Sequence, residues 1–167
     1  MLSRVRPVAA IFFALAVSAS LISTCGSAKA EAVKSVQAEE LRVARVIDGD
    51  TVVLEDGRHV RYIGMDTPER RMPYYTEAKR ENERLVRGKT VKLEYDVGRT
   101  DKYGRILAYV YAGDIFVNAE LVKGGYAVIA TYPPNVKYVD KFKALQEEAR
   151  KEKRGLWGIK SGRGSVW

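Results

Sequence analysis

The chain has 167 residues, with 29 lysines and arginines against 21 aspartates and glutamates, for a net charge of +8. That length holds one domain whose core can stand without staples. The single cysteine, Cys25, excludes an internal disulfide framework, and the single histidine, His59, excludes an imidazole-rich zinc site.

Residues 1–30 read as a secretory signal peptide. Arg4 and Arg6 make a basic start, residues 8–22 form an apolar run short for a membrane span, and Ala28-Lys29-Ala30 supplies an A-x-A cleavage site. Export to the periplasm or the medium is the expectation. Ile22-Ser23-Thr24-Cys25 also resembles an imperfect lipoprotein signal, so lipid attachment at Cys25 is the second reading. Removing residues 1–30 deletes Arg4, Arg6 and Lys29 and no acids, and the net charge falls from +8 to +5. A basic exported protein favours a polyanionic partner, and outside the cell a calcium site of modest affinity is chemically reasonable.

Residues 31–40 are polar and alanine-rich and read as a flexible leader. Residues 41–47 alternate as a strand with Leu41, Val43 and Arg45 on one face. Asp48-Gly49-Asp50 is a turn, residues 51–54 a second strand, and Asp56-Gly57 closes a hairpin into a third strand over 59–65. Pro68 ends that strand region. Thr76 is placed to cap a helix to about Arg87, with Ala78, Asn82, Leu85 and Val86 on its inner side and Gly88 as the stop. Strands follow over 90–96 and 106–111, and Asn118 is placed to cap a short helix over 119–123. The last helix runs over 139–154 with an apolar stripe of Val139, Phe142, Leu145 and Ala149. Residues 159–167 read as a tail. Three meandering strands, an interposed helix and two returning strands predict an α+β domain over 41–158: a five-stranded OB-type β-barrel with three helices.

Three turns carry groups able to do chemistry. Asp50 and Asp66 both sit where a strand meets a turn, and with the Thr67 carbonyl they would give a hard cation part of its oxygen shell. Taken singly, each aspartate is equally served by an Asx-turn role. Glu69 could orient a water and accept its proton, or be a solvated surface residue. Arg61 and Arg105 could grip phosphate through the guanidinium fork, or form structural ion pairs with nearby aspartates. Tyr103 and Tyr132, near Lys102 and Lys137, could stack on bases, or be loop tyrosines that pack on their own loops. One geometric condition applies: in a regular strand Arg61 and Asp66 point to opposite faces. They can converge only if the strand breaks between them, and Gly64 is the place for the break.

Asp48-Gly49-Asp50-Thr51, Arg61, Asp66-Thr67-Pro68-Glu69 and Thr100-Asp101-Lys102-Tyr103-Gly104-Arg105, with Asn118-x-x-Leu121-Val122 and Gly155-Leu156-Trp157 behind them, resemble the staphylococcal nuclease family over residues 41–158. The resemblance implies Ca²⁺-dependent hydrolysis of DNA and RNA at the 5′ oxygen, leaving 3′-phosphates, by a monomer. It implies that Asp50 and Asp66 bind calcium with the Thr67 carbonyl and that Glu69 positions or deprotonates the attacking water. It further implies that Arg61 and Arg105 clamp phosphate and that Tyr103, with Lys102 and more loosely Tyr132, contacts nucleotide. Residues 70–76 depart from the family pattern, being shorter and without its lysine-rich, glycine-containing character. The rival reading is a non-catalytic OB module that binds single strands; it has no use for a carboxylate at the phosphate.

Overall fold

A computed structural model describes residues 39–159. The expected signal segment, Cys25, most of the leader and the end of the tail lie outside the described residues. The leader's last two residues are not leader: Glu39 and Glu40 begin the first strand. The Glu39 carboxylate is the reason, since it accepts hydrogen bonds from Arg58 Nη2 at 2.6 Å and from the Tyr95 hydroxyl at 2.7 Å.

The elements in order are β1 (Glu39–Val46), β2 (Thr51–Leu54), β3 (His59–Tyr62), β4 (Met65–Asp66), α1 (Tyr75–Val86), β5 (Thr90–Glu94), β6 (Ile106–Ala112), β7 (Ile115–Phe116), α2 (Val117–Lys123), β8 (Val128–Ile129) and α3 (Val139–Lys151). A 3₁₀ turn, Gly155–Gly158, follows. Strands pair in the order β3-β2-β1-β5-β6-β7, and β3 also pairs with β6. That last pairing closes a five-stranded barrel, the predicted OB-type architecture with three helices.

The closing seam is parallel, with Val60 opposite Ile106, Arg61 opposite Leu107 and Tyr62 opposite Ala108. It sets Arg61 two positions from Arg105, although the arginines are 44 positions apart in the chain. Inward residues of every barrel strand, among them Val43, Val52, Val60, Leu93 and Val110, fill one core with Leu85, Val86 and Leu121 from the helices. A second cluster of Ile63, Tyr109, Phe116, Ala119 and Phe142 glues α3 to the barrel. Several tyrosines serve this second core: Tyr109 meets Tyr138 edge-on at 4.6 Å, and Tyr111 stacks on Phe116 at 4.6 Å.

Four local expectations need correction. Arg45 is exposed, because the β1–β2 register shifts between Val43 and Arg45 and turns the strand over. Thr76 is not a cap: α1 starts one residue earlier, with Tyr74 in the left-handed region at its N-cap and no side-chain cap bond. Asn118 is not a cap either. It lies inside α2, fully buried, accepting from the Val110 amide at 2.9 Å and donating to the Ile63 carbonyl at 2.9 Å. In α3 the buried residues are Phe142, Gln146 and Ala149, and Gln146 accepts from the Ile129 amide at 2.9 Å.

The third strand stops at Tyr62, short of the predicted Met65. Gly64 has φ of +80°, a conformation costly for any residue with a Cβ. Met65 and Asp66 then leave the barrel and pair with Ile129 and Val128. A Cβ on Gly64 would also lie 2.6 Å from the Phe142 ring. We expect Gly64→Ala to cost roughly 2–4 kcal/mol in urea unfolding, from the positive φ and from overpacking against Phe142. A loss under about 0.5 kcal/mol, the usual effect of a harmless surface change, would show that the break does not depend on glycine.

Candidate active site

The site begins at the turn between β1 and β2. The Asp50 amide donates to Asp48 Oδ1 at 3.1 Å, and the Ile47 amide donates to the Thr51 carbonyl at 2.9 Å. This tight turn drives the Asp50 side chain inward, where it is 1 % exposed. A carboxylate so buried is costly unless it is paired and hydrogen-bonded. Its Oδ2 accepts from the Thr67 amide and the Thr67 hydroxyl, both at 2.8 Å, and its Oδ1 accepts from the Thr51 hydroxyl at 3.1 Å. Arg61 Nη1 supplies the counter-charge.

Arg61 reaches from β3 with one guanidinium to two acids. Nη1 pairs with Asp50 and Nη2 pairs with Asp66. The break at Gly64 makes this contact available, as the sequence argument required. A second close approach brings the turns together. A Cβ on Gly49 would fall 2.7 Å from the Thr67 side chain, so glycine is what allows the Asp48–Thr51 turn to rest on Thr67. Burial pushes the Asp48 carboxyl above its ordinary range, and the Thr51 hydrogen bond and the charges of Arg61 and Arg105 oppose the shift.

The downstream turn is held by its own acid. Asp101 Oδ1 accepts from the amides of Tyr103 and Arg105, at 2.9 and 3.0 Å, and Oδ2 accepts from Arg105 Nε at 2.7 Å. Burial alone would raise the Asp101 carboxyl; the bonds from Arg105 and Tyr103 outweigh it and hold the group below its ordinary range. The clasp uses Arg105 Nε, and among the described residues the Nη groups donate to nothing. Arg105 and Lys102 both flank the Tyr103 ring, at 5.5 and 5.0 Å from its centroid.

Arg61, Arg105, Lys102, Tyr103 and Tyr132 all line one cavity of about 550 Å³, with Ile63, Met65 and Leu107 as apolar lining. Tyr103 and Tyr132 are 71 % and 70 % exposed. Asp50, Asp66 and Thr67 stand at the Arg61 end. Glu69 is not part of the cavity lining. It lies exposed past Pro68, and among the described residues its carboxylate makes no hydrogen bond or ion pair. Asn135 is a lining residue that sequence reasoning missed. It exchanges two hydrogen bonds with Gly98, at 2.7 and 2.9 Å, and so ties the Tyr132 loop to the loop before Arg105. Nothing in its local sequence marks a partner 37 residues away.

The staphylococcal nuclease homologue family model matches residues 59–158. The chain belongs to the staphylococcal nuclease family. Among its relatives, a thermonuclease of Staphylococcus hyicus is 36 % identical over 152 residues, covering 86 % of this chain and 90 % of the relative. A thermonuclease of Staphylococcus intermedius is 42 % identical over 131 residues, covering 73 % and 78 %. Endonuclease YncB of Bacillus subtilis is 43 % identical over 129 residues, 71 % of this chain and 61 % of that protein. The matched segment of this staphylococcal nuclease family member contains both arginines, Asp66, Thr67 and Glu69, whereas Asp50 precedes it.

With Arg61 replaced by methionine, Asp50 keeps its hydrogen bonds and loses its counter-charge. Breaking a buried pair from one side costs about 3–5 kcal/mol, so Arg61→Met should lower stability by that order at pH 7. The double variant Arg61→Met/Asp50→Asn should recover part of the loss. Urea unfolding of the set checks both statements. A single-variant cost under about 1 kcal/mol would mean that Arg61 is a surface pair.

Proposed function

We propose that this protein is a nuclease that hydrolyses phosphodiester bonds of DNA and RNA with Ca²⁺, at the 5′ oxygen, leaving 3′-phosphates. The observation that carries the proposal is the junction of two arginines and two exposed tyrosines in one cavity with a pair of carboxylates at its end. The relatives' names, thermonuclease and endonuclease, support the nuclease part of this reading.

The donor set fits a hard cation. Asp50 and Asp66 each aim a carboxylate oxygen at the same guanidinium, so both acids already face a positive charge. Among the described residues no group of three or more carboxylates, imidazoles or thiolates converges. Following the family resemblance, protein ligation would consist of Asp50, Asp66 and the Thr67 carbonyl, an all-oxygen set suited to calcium. Bound there, Ca²⁺ would act as a Lewis acid on a phosphoryl oxygen.

The chain's own residues do the rest. Tyr103 and Tyr132 offer π-faces to unpaired bases and Lys102 meets the backbone, which favours single strands. Arg105, whose Nη donors are uncommitted among the described residues, and Arg61, through its remaining N–H groups, hold the phosphate and offset charge developing on its oxygens. Glu69 orients a water and takes its proton as the water oxygen bonds to phosphorus. The phosphorus–O5′ bond breaks, the downstream fragment leaves as a 5′-alcohol as O5′ takes a proton from solvent, and the phosphate stays on the 3′ oxygen of the upstream fragment. The basic, apolar and A-x-A start supports export, where free nucleic acid and calcium are both available. Among the described residues no helix is long and apolar enough to cross a membrane.

A quenched single-stranded oligonucleotide tests the proposal. Cleavage should appear with Ca²⁺ and vanish with chelator. Glu69→Gln should lower kcat by about 10²–10⁴-fold, the range of general acid–base catalysis, with oligonucleotide binding retained. No cleavage in either condition would end the nuclease reading, and cleavage indifferent to chelator would end the calcium one.

A further inference from the structure

We propose that Asn82 is a positioning residue for the cation-binding carboxylate of Asp50, acting on it through the backbone of the Asp48–Thr51 turn without touching it. The inference rests on the proposed site and extends it to a helix that contributes nothing to the cavity.

Asn82 lies on the inner face of α1 among Ala78, Leu85 and Val86, and is fully buried. An amide placed there is unfavourable unless its donors and acceptor are engaged, and a leucine would fill the same apolar face. Both ends of the amide are engaged. The Asn82 Oδ1 accepts from the Tyr62 hydroxyl at 2.9 Å, and Nδ2 donates to the Asp48 carbonyl at 3.0 Å, across 34 residues of sequence.

The Tyr62 bond leads back to the same turn. The Tyr62 amide donates to the Asp50 carbonyl at 2.9 Å, and its ring is 2 % exposed. Asn82, Asp48, Asp50 and Tyr62 therefore form a closed circuit. One arm fixes the carbonyl at the start of the turn, and the other fixes the carbonyl of Asp50 itself. Both are referred to a packed helix and a barrel strand, elements that move little.

The geometry of the circuit gives it a role beyond cohesion. Asp50 Oδ2 is held by Thr67, so the aim of Oδ1 depends on where the turn backbone sits. Without the amide, the Asp48 carbonyl has lost its helix-side donor and the turn can shift by a fraction of an ångström. Groups behind a metal ligand typically tune affinity or activity by about 10–100-fold. Asn82 bonds to no carboxylate, so its influence must travel through the backbone.

The test uses the whole chain and Ca²⁺ alone as the probe. Calorimetric affinity and the Ca²⁺-dependent rise in melting temperature are measured for wild type, Asn82→Leu, Asn82→Thr, Tyr62→Phe and Leu93→Ala. An osmolyte is added wherever a variant is only partly folded. Both Asn82 variants should bind Ca²⁺ about tenfold more weakly and lose kcat by a similar factor, with KM for an oligonucleotide within about twofold. Tyr62→Phe keeps the bond to Asp48, and Leu93→Ala truncates the core away from the turn. Both should lower the melting temperature while leaving Ca²⁺ affinity within about twofold. Folded Asn82 variants with wild-type affinity would overturn the inference and leave the site reading intact. So would a loss in Leu93→Ala equal to that in Asn82→Leu, since that is a general stability effect. A wild-type chain that binds no Ca²⁺ would overturn the site reading and this inference with it.

Discussion

A single guanidinium between two carboxylates organises this molecule. Asp50 is too buried to carry a charge alone, and Arg61 provides the opposite charge while reaching Asp66 on the next turn. Much of the local architecture serves that contact. Gly49 permits the first turn to lie on Thr67, and Gly64 lets the chain leave the barrel before Asp66. Thr67 then binds the oxygen of Asp50 that Arg61 does not use. Each feature is modest alone, and together they place two acids from separate turns around one positive charge.

The barrel's parallel seam adds the other half. By setting Arg61 opposite Leu107, it makes neighbours of two arginine-bearing segments that are remote in sequence. The two halves differ in character. The carboxylate side is buried and cross-braced, as preorganised charge stabilisation requires. The tyrosine side is exposed to solvent. Glu69 belongs to neither: its side chain is in solvent on the loop past Pro68, with no fixed partner among the described residues.

The sequence revealed features that obey local rules. The inner face of α1 was legible in full, because a 3.6-residue period reports burial directly. The break at Gly64 was legible for a different reason: Arg61 and Asp66 could not otherwise share a face. What escaped was partnership. Asn118 has the composition of a cap, yet it is buried between Val110 and the Ile63 carbonyl. Gln146 and Asn135 look like surface residues until a strand and a loop elsewhere in the chain supply their partners. Arg45 was misplaced because a bulge shifts register without leaving a local mark. Family resemblance carried the roles of the site residues; composition and spacing left each of them open to a plainer reading.

The proposed cation site requires that Asp50 and Asp66, from two separate turns, act on one ion. The most direct measurement is a double-mutant cycle on Ca²⁺ affinity, by calorimetry, with Asp50→Asn, Asp66→Asn and the double variant. If both acids serve one ion, either change removes most of the binding, and the summed single losses should exceed the double loss by about 1 kcal/mol or more. Losses that add within about 0.5 kcal/mol would mean that the two carboxylates act independently, and would contradict a shared site.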